Sequence, residues 1–147
     1  MDMITTLSVD AHCGATPKTV VRAKGFTLLI DEPPLFGGND EGPSPVDTLL
    51  AAIAGCVAAI GQWVAKEKGI SIRTMDIRVD GDIDAAKFFG HTNVGRAGFE
   101  RILIKIAVET EADDEVLQDW LEQVLSRCPV IDNMTQPTDV QAALSRV

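Results

Sequence analysis

Between positions 102 and 108 every second residue is a branched apolar one: Ile102, Ile104, Ile106 and Val108. That period of two predicts a strand over residues 99–109 with one face turned to a core. Residues 70–83 alternate only in part, at Ile72, Met75, Ile77 and Val79, and predict a second strand. Nearer the N-terminus, residues 3–10 and 18–31 are rich in Ile, Thr, Val and Leu. A turn at Ala23-Lys24-Gly25 divides the latter stretch, so a meander of about three strands is expected there.

Helical patterning appears twice. Residues 113–126 place Val116, Trp120, Leu121, Val124 and Leu125 on one stripe and acids in the first turn, which predicts an amphipathic helix. The other helix starts after the Gly/Pro loop LFGGNDEGPSP. Ser44 suits the N-cap, Pro45 the first helical position, and Asp47, three residues on, completes a capping box. Gly69 ends it, with Lys66 and Lys68 at its negative end. About 24 residues at ~1.5 Å each give a rod of about 36 Å, roughly the diameter of a compact domain of this size.

The first turns of that helix, LLAAIAGCVAAIG at residues 49–61, are apolar on every side. A sheet on one side cannot cover them, so a second cover is expected. The small residues Ala51, Ala52, Ala54, Gly55, Ala58, Ala59 and Gly61 admit a close backbone; a partner helix fits, one from a second subunit included. Residues 84–98, DAAKFFGHTNVGRAG, predict a loop and a candidate lid. The tail TDVQAAL predicts a last strand. The order is then βββ, helix, ββ, helix, β: an α+β chain, expected to be a single domain over residues 1–147.

Composition narrows the function. With 46% hydrophobic and 24% charged residues the chain can build one core. Its net charge of −9 and the lack of any Lys/Arg run argue against nucleic acid and anionic membranes as partners. The apolar run at 49–61 is short for a bilayer span, which needs about 20 residues. The N-terminal stretch has no basic start followed by an apolar core, so the expected location is cytoplasmic. In that reducing setting the three cysteines, Cys13, Cys56 and Cys128, would not hold a structural disulfide.

On composition alone Cys56, in an apolar helix, reads as a small filler, and burial would raise its pKa. Its helical neighbours Leu49, Ala52, Ile53, Ala59, Ile60 and Trp63 would make any pocket at the thiol apolar, suited to an organic substrate. Cys128 precedes Pro129, which biases it away from helical backbone and makes it the N-cap of any short helix beginning there. Cys13 reads as incidental. His12 and His91 lack companions at metal spacing, so no metal is expected. The alternating Asp80, Asp82 and Asp84 read as a solvated strand edge. No phosphate-cradling glycine motif or serine-hydrolase elbow is present.

Two motifs in register go further. GPSPVDTLLAAIAGC, residues 42–56, resembles the first cysteine signature of the OsmC/Ohr family of osmotically inducible and organic hydroperoxide resistance proteins. RCPVIDNM, residues 127–134, resembles that family's second cysteine motif; DEPPLFGG and GRAGFERILIKIAV extend the likeness over nearly the whole chain. The resemblance implies an intertwined homodimer, with antiparallel sheets wrapped around two central helices. It also implies a thiol peroxidase in the cytoplasm, acting on small organic hydroperoxides in oxidative stress defence. Cys56 would attack the peroxide, Cys128 would resolve the sulfenic acid as a disulfide, and an external dithiol or lipoylated protein would reduce it, with no bound cofactor. An arginine from the N-terminal strands would activate Cys56, and Arg22 is the candidate. The family glutamate that holds this arginine falls at Val46, with Asp47 one position later. That departure motivates an alternative: a dimer with little peroxidase activity that binds a small apolar ligand.

Overall fold

The computed structural model describes residues 3–146. The chain forms two compact units, Met1–Leu49 and Leu50–Val147. The first is an antiparallel meander of β1 (Asp10–Cys13), β2 (Thr19–Ala23) and β3 (Phe26–Ile30), in that spatial order. The β2–β3 turn falls where expected. Lys24 (φ 50°) and Gly25 (φ 86°) are both left-handed, the backbone of a two-residue turn whose twist matches paired strands. Strand β1 starts later than the sequence pattern predicts: residues 3–9 are exposed and not in a strand. The strand begins where β2 supplies partners, Asp10 opposite Arg22 and Cys13 opposite Thr19.

After β3 the chain enters a loop folded on one carboxylate. Asp31 is 1% exposed and accepts backbone N–H bonds from Glu32 (2.9 Å), Asn39 (3.0 Å) and Glu41 (3.2 Å). A one-turn 3-10 helix, Pro34–Phe36, lies inside this loop. Burial by itself would push the Asp31 carboxyl up; the three donors and Lys18 outweigh it and hold it below the usual carboxylate range.

The unit ends in the first turns of α1 (Pro45–Lys68), which begins with the expected reciprocal cap. The Asp47 N–H donates to Ser44 Oγ (3.2 Å), and Ser44 N–H donates back to Asp47 Oδ2 (3.1 Å). Gly69, at φ +69°, ends the helix as anticipated, and the Ile70 N–H closes back on the Ala65 carbonyl at 2.8 Å.

In the second unit β4 (Ile72–Ile83) and β5 (Phe99–Thr110) form a two-stranded antiparallel ladder. A register shift between Ile72 and Thr74 inserts an extra residue, which is why the apolar positions step by three from Ile72 to Met75 before settling to a period of two. Between the strands, residues 84–98 contain a one-turn helix, α2 (Ala85–Phe88), capped by Asp84. The chain continues through α3 (Asp114–Arg127), with Asp113 as its N-cap, to α4 (Pro129–Thr135). The tail TDVQAAL is exposed and forms no strand among the described residues, because no neighbouring strand pairs with it.

The core lies in the second unit. Ile53, Val57, Ile60, Val64 and Ala65 of α1 pack with Trp120 and Val124 of α3 and with Cys128. Each fully buried Ile or Val contributes about 1.5–3 kcal/mol. Gly61, on the same buried face, lets α3 approach closely, and the inner face of the β4–β5 ladder packs partly against the cluster. The opposite face of α1 is open: Ala51, Ala52, Gly55 and Ala59 are exposed and Trp63 is 61% exposed. Contrary to the length argument made from residues 49–61, the complete helix is long and apolar enough to cross a membrane, with mean hydropathy 1.8 over its best 18 residues. One third of that window is buried within the chain.

Candidate thiol site

Cys56 sits in the middle of α1, on the flank of the buried Ile53–Val57–Ile60 stripe, and is half-buried. Cys128 is fully buried. As the residue before Pro129 it is extended (φ −79°, ψ 109°), so it ends α3 and starts α4 at one point, the N-cap position that the Cys-Pro pair predicts. Cys128 Sγ lies 2.6 Å from Cys56 Sγ, and both cysteines are free.

Short helix α4 completes the site. Its first N–H groups have no partners within the helix, and that of Val130 donates to the Cys56 sulfur. Burial raises the Cys56 pKa above its ordinary 9.0, contact with Cys128 raises it further, and the Val130 donor opposes both. Arg127 is adjacent in sequence to Cys128, yet its guanidinium is bound by the Glu67 carboxylate in a two-pronged ion pair. Hydrogen bonding by Arg127 holds Glu67 below the usual carboxylate range. Val130 and Ile131 pack with Leu50 around the buried cluster, so the surroundings of the thiols are apolar, as the neighbours of Cys56 in sequence suggest.

The other candidates fall on other elements of the chain. Arg22 is on the exposed side of β2, in the first unit, opposite Asp10 and Thr27. Cys13 is exposed on β1. His91 lies beside the Phe89 ring, centroids 5.9 Å apart. Asp80 and Asp82 pair with Arg78 and Arg101, and Asp84 caps α2, so these acids are used locally. Among the described residues no three His, Cys, Asp or Glu side chains gather as metal ligands. An apolar groove of about 300 Å³ between β5 and α3 is lined by Ile102, Ile104, Ile106, Leu121 and Leu125; neither cysteine lines it.

Sequence reasoning missed two features of this framework. One is the Asp31-centred loop. The other is the buried bond from Trp120 Nε1 to the Gly61 carbonyl (2.9 Å), for which the only signal is a glycine inside a helix that would be more stable with alanine.

Comparison with known proteins bears on the whole arrangement. A family model described as OsmC-like protein matches residues 37–143, a span that holds both cysteine motifs. Similar solved structures include an OsmC-like protein from Mycoplasma pneumoniae (TM-score 0.79, 18% identity, covering 92% of this chain and 91% of that one). Another is an organic hydroperoxide resistance protein OsmC from Legionella pneumophila (TM-score 0.65, 16% identity, 90% and 91% covered). A third is an organic hydroperoxide resistance protein from Elizabethkingia anophelis (TM-score 0.65, 19% identity, 93% and 92% covered). At these identities the likeness is one of fold. No curated protein matches the chain.

Proposed function

Because the chain belongs to the OsmC-like family, we propose that it is a thiol peroxidase that reduces organic hydroperoxides through Cys56 and Cys128. The observation that carries this reading is the contact between the two sulfurs, one half-buried and one fully buried. The unequal burial suits unequal roles. Cys56, which solvent reaches, attacks one peroxide oxygen as the thiolate; the O–O bond breaks, an alcohol leaves with a proton, and a sulfenic acid remains on Cys56. Cys128 then attacks the Cys56 sulfur, the S–O bond breaks, water leaves and a disulfide closes. An external dithiol or lipoylated protein returns two electrons and two protons.

The raised pKa of Cys56 means that this cycle needs a cation to favour the thiolate, and Arg22 is the residue proposed for it. The apolar surroundings of the pair suit an organic peroxide better than a sugar or a nucleotide. Activity is expected in the cytoplasm, within oxidative stress defence.

The proposal includes a homodimer. The open face of α1, small at Ala51, Ala52, Gly55 and Ala59, suits the close approach of the same helix from a second copy. A side-chain carbon added at Gly55 would meet nothing within 4 Å. Light scattering should give twice the chain mass for the native protein, and Ala59→Glu should give the monomer.

Turnover of cumene hydroperoxide with dithiothreitol as reductant tests the activity. Consumption that is lost in Cys56→Ser is expected; turnover unchanged by that substitution would refute the assignment. A second reading, a dimer with little peroxidase activity that binds a small apolar ligand, is favoured by the raised Cys56 pKa and by Val46 at the family's glutamate position. Fast turnover would exclude it.

A further inference from the structure

We infer that Trp120 and Gly61 are positioning residues for disulfide closure: their buried joint sets the seating of α3 on α1 that brings Cys128 to Cys56. This deepens the proposed function and rests on that cysteine pair being its reacting thiols. Trp120, Val124 and Cys128 are spaced four apart, one above the other on a single stripe at the end of α3, and are 3%, 0% and 0% exposed. The stripe lies along the buried face of α1 and is fixed at two points. At one, Trp120 Nε1 donates to the Gly61 carbonyl. At the other, the Cys128 sulfur meets the Cys56 sulfur.

Gly61 has no backbone reason to be glycine. It lies in the interior of α1, where alanine would be favoured by about 1 kcal/mol. Its neighbours supply the reason: an added Cβ would come within 3.0 Å of Trp120 Cζ2 and of Met75 Cε. The missing methyl lets the indole ring lie against the backbone of α1, close enough for its N–H to reach the carbonyl. Because α3 is an unbroken helix from Trp120 to Arg127, a change of seating at Trp120 is carried to Cys128. Beyond this apolar packing, the polar ties among the described residues of α3 and α1, Arg127 to Glu67 and Asp119 to Lys68, are exposed ion pairs, which hold geometry weakly.

Equilibration with glutathione and its disulfide tests the inference without peroxide. In that exchange one cysteine sulfur attacks glutathione disulfide and releases one glutathione. The other cysteine then displaces the second glutathione, so two thiols and one glutathione disulfide give one protein disulfide and two glutathiones. Trp120→Phe keeps a buried ring and removes the donor; Gly61→Ala keeps the donor and displaces the ring. Each is expected to lower the equilibrium constant for closure about tenfold, a potential about 30 mV less negative. Glu67→Gln should leave the constant within about twofold. In a separate arm, dimedone trapping of the sulfenic acid that one equivalent of cumene hydroperoxide forms on Cys56, in a Cys128→Ser background, should proceed at the native rate in Trp120→Phe.

Variants that melt earlier yet close with the native constant would overturn the inference, as would a native protein whose two cysteines do not join in glutathione buffer. Native closure that weakens in both variants, in a protein that consumes no peroxide, would support the positioning role while refuting the peroxidase assignment. If Trp120→Phe does not fold, Gly61→Ala carries the test.

Discussion

Cys128 and Cys56 are 72 positions apart in the chain, and their sulfurs are 2.6 Å apart in the fold. A proline after one cysteine and an unbroken apolar helix around the other make this meeting possible. Pro129 forces Cys128 out of helical backbone. The buried stripe of α1 supplies the surface against which α3 and the start of α4 settle.

The protonation of Cys56 follows from that meeting. Burial and Cys128 raise its pKa above 9.0, so in the reduced protein the thiol form dominates at neutral pH. Alkylation of Cys56 by iodoacetamide, followed by peptide mass mapping, should therefore be slower at pH 7.5 than that of a free cysteine and should rise through a midpoint above 9. Stability follows the same sign. A group whose pKa is raised on folding contributes fully below the unfolded value, and its contribution is lost as pH rises through the folded one. The melting temperature of the reduced protein should fall above pH 9 by less in Cys56→Ala than in the native chain.

Asp31 titrates in the opposite sense. Its carboxyl is held below the ordinary value of 3.8, so its contribution is complete at neutral pH and is lost as the pH falls below about 4. Asp31→Ala leaves the N–H groups of Glu32, Asn39 and Glu41 without their acceptor. Hydrogen exchange at Asn39 and Glu41 should accelerate in this variant at pH 7, and in the native protein only in acid. Exchange at those amides that is unchanged by the substitution would contradict the assigned role of the carboxylate.

Asp47 caps the start of α1. Its carboxylate accepts the Ser44 N–H, and nine residues at about 100° each put it on the opposite face of α1 from Cys56, about 13 Å away along the axis. Ser44→Ala should destabilise the protein by about 1 kcal/mol in denaturant unfolding. Asp47→Asn should leave the rate of Cys56 oxidation within about twofold, measured by loss of free thiol after one equivalent of cumene hydroperoxide.

Local rules made much of this fold legible. Ile102 to Val108 announce β5, Lys24-Gly25 the hairpin turn, Ser44 and Gly69 the two ends of α1, and Cys128-Pro129 the break between α3 and α4. Each is a preference expressed within a few residues. What stayed hidden depends on partners distant in the chain. The apolar residues Met3, Ile4, Leu7 and Val9 suit a strand, but β1 forms only where β2 lies opposite, from Asp10. Among the described residues the tail at 138–144 has no partner strand either. Asp31 collects donors one, eight and ten positions away, a spacing that matches no periodic element. Even the cysteine pairing came from family likeness; composition alone marked Cys56 as a filler.

The central claim is that Cys56 and Cys128 form one redox unit, and intact mass after one equivalent of cumene hydroperoxide tests it most directly. The native protein should lose two hydrogens within the chain. Cys128→Ser should instead gain one oxygen on Cys56, and Cys56→Ser should stay unchanged at both positions. A native protein that gains oxygen without losing hydrogens, or loses two hydrogens equally well without Cys56, would contradict the account.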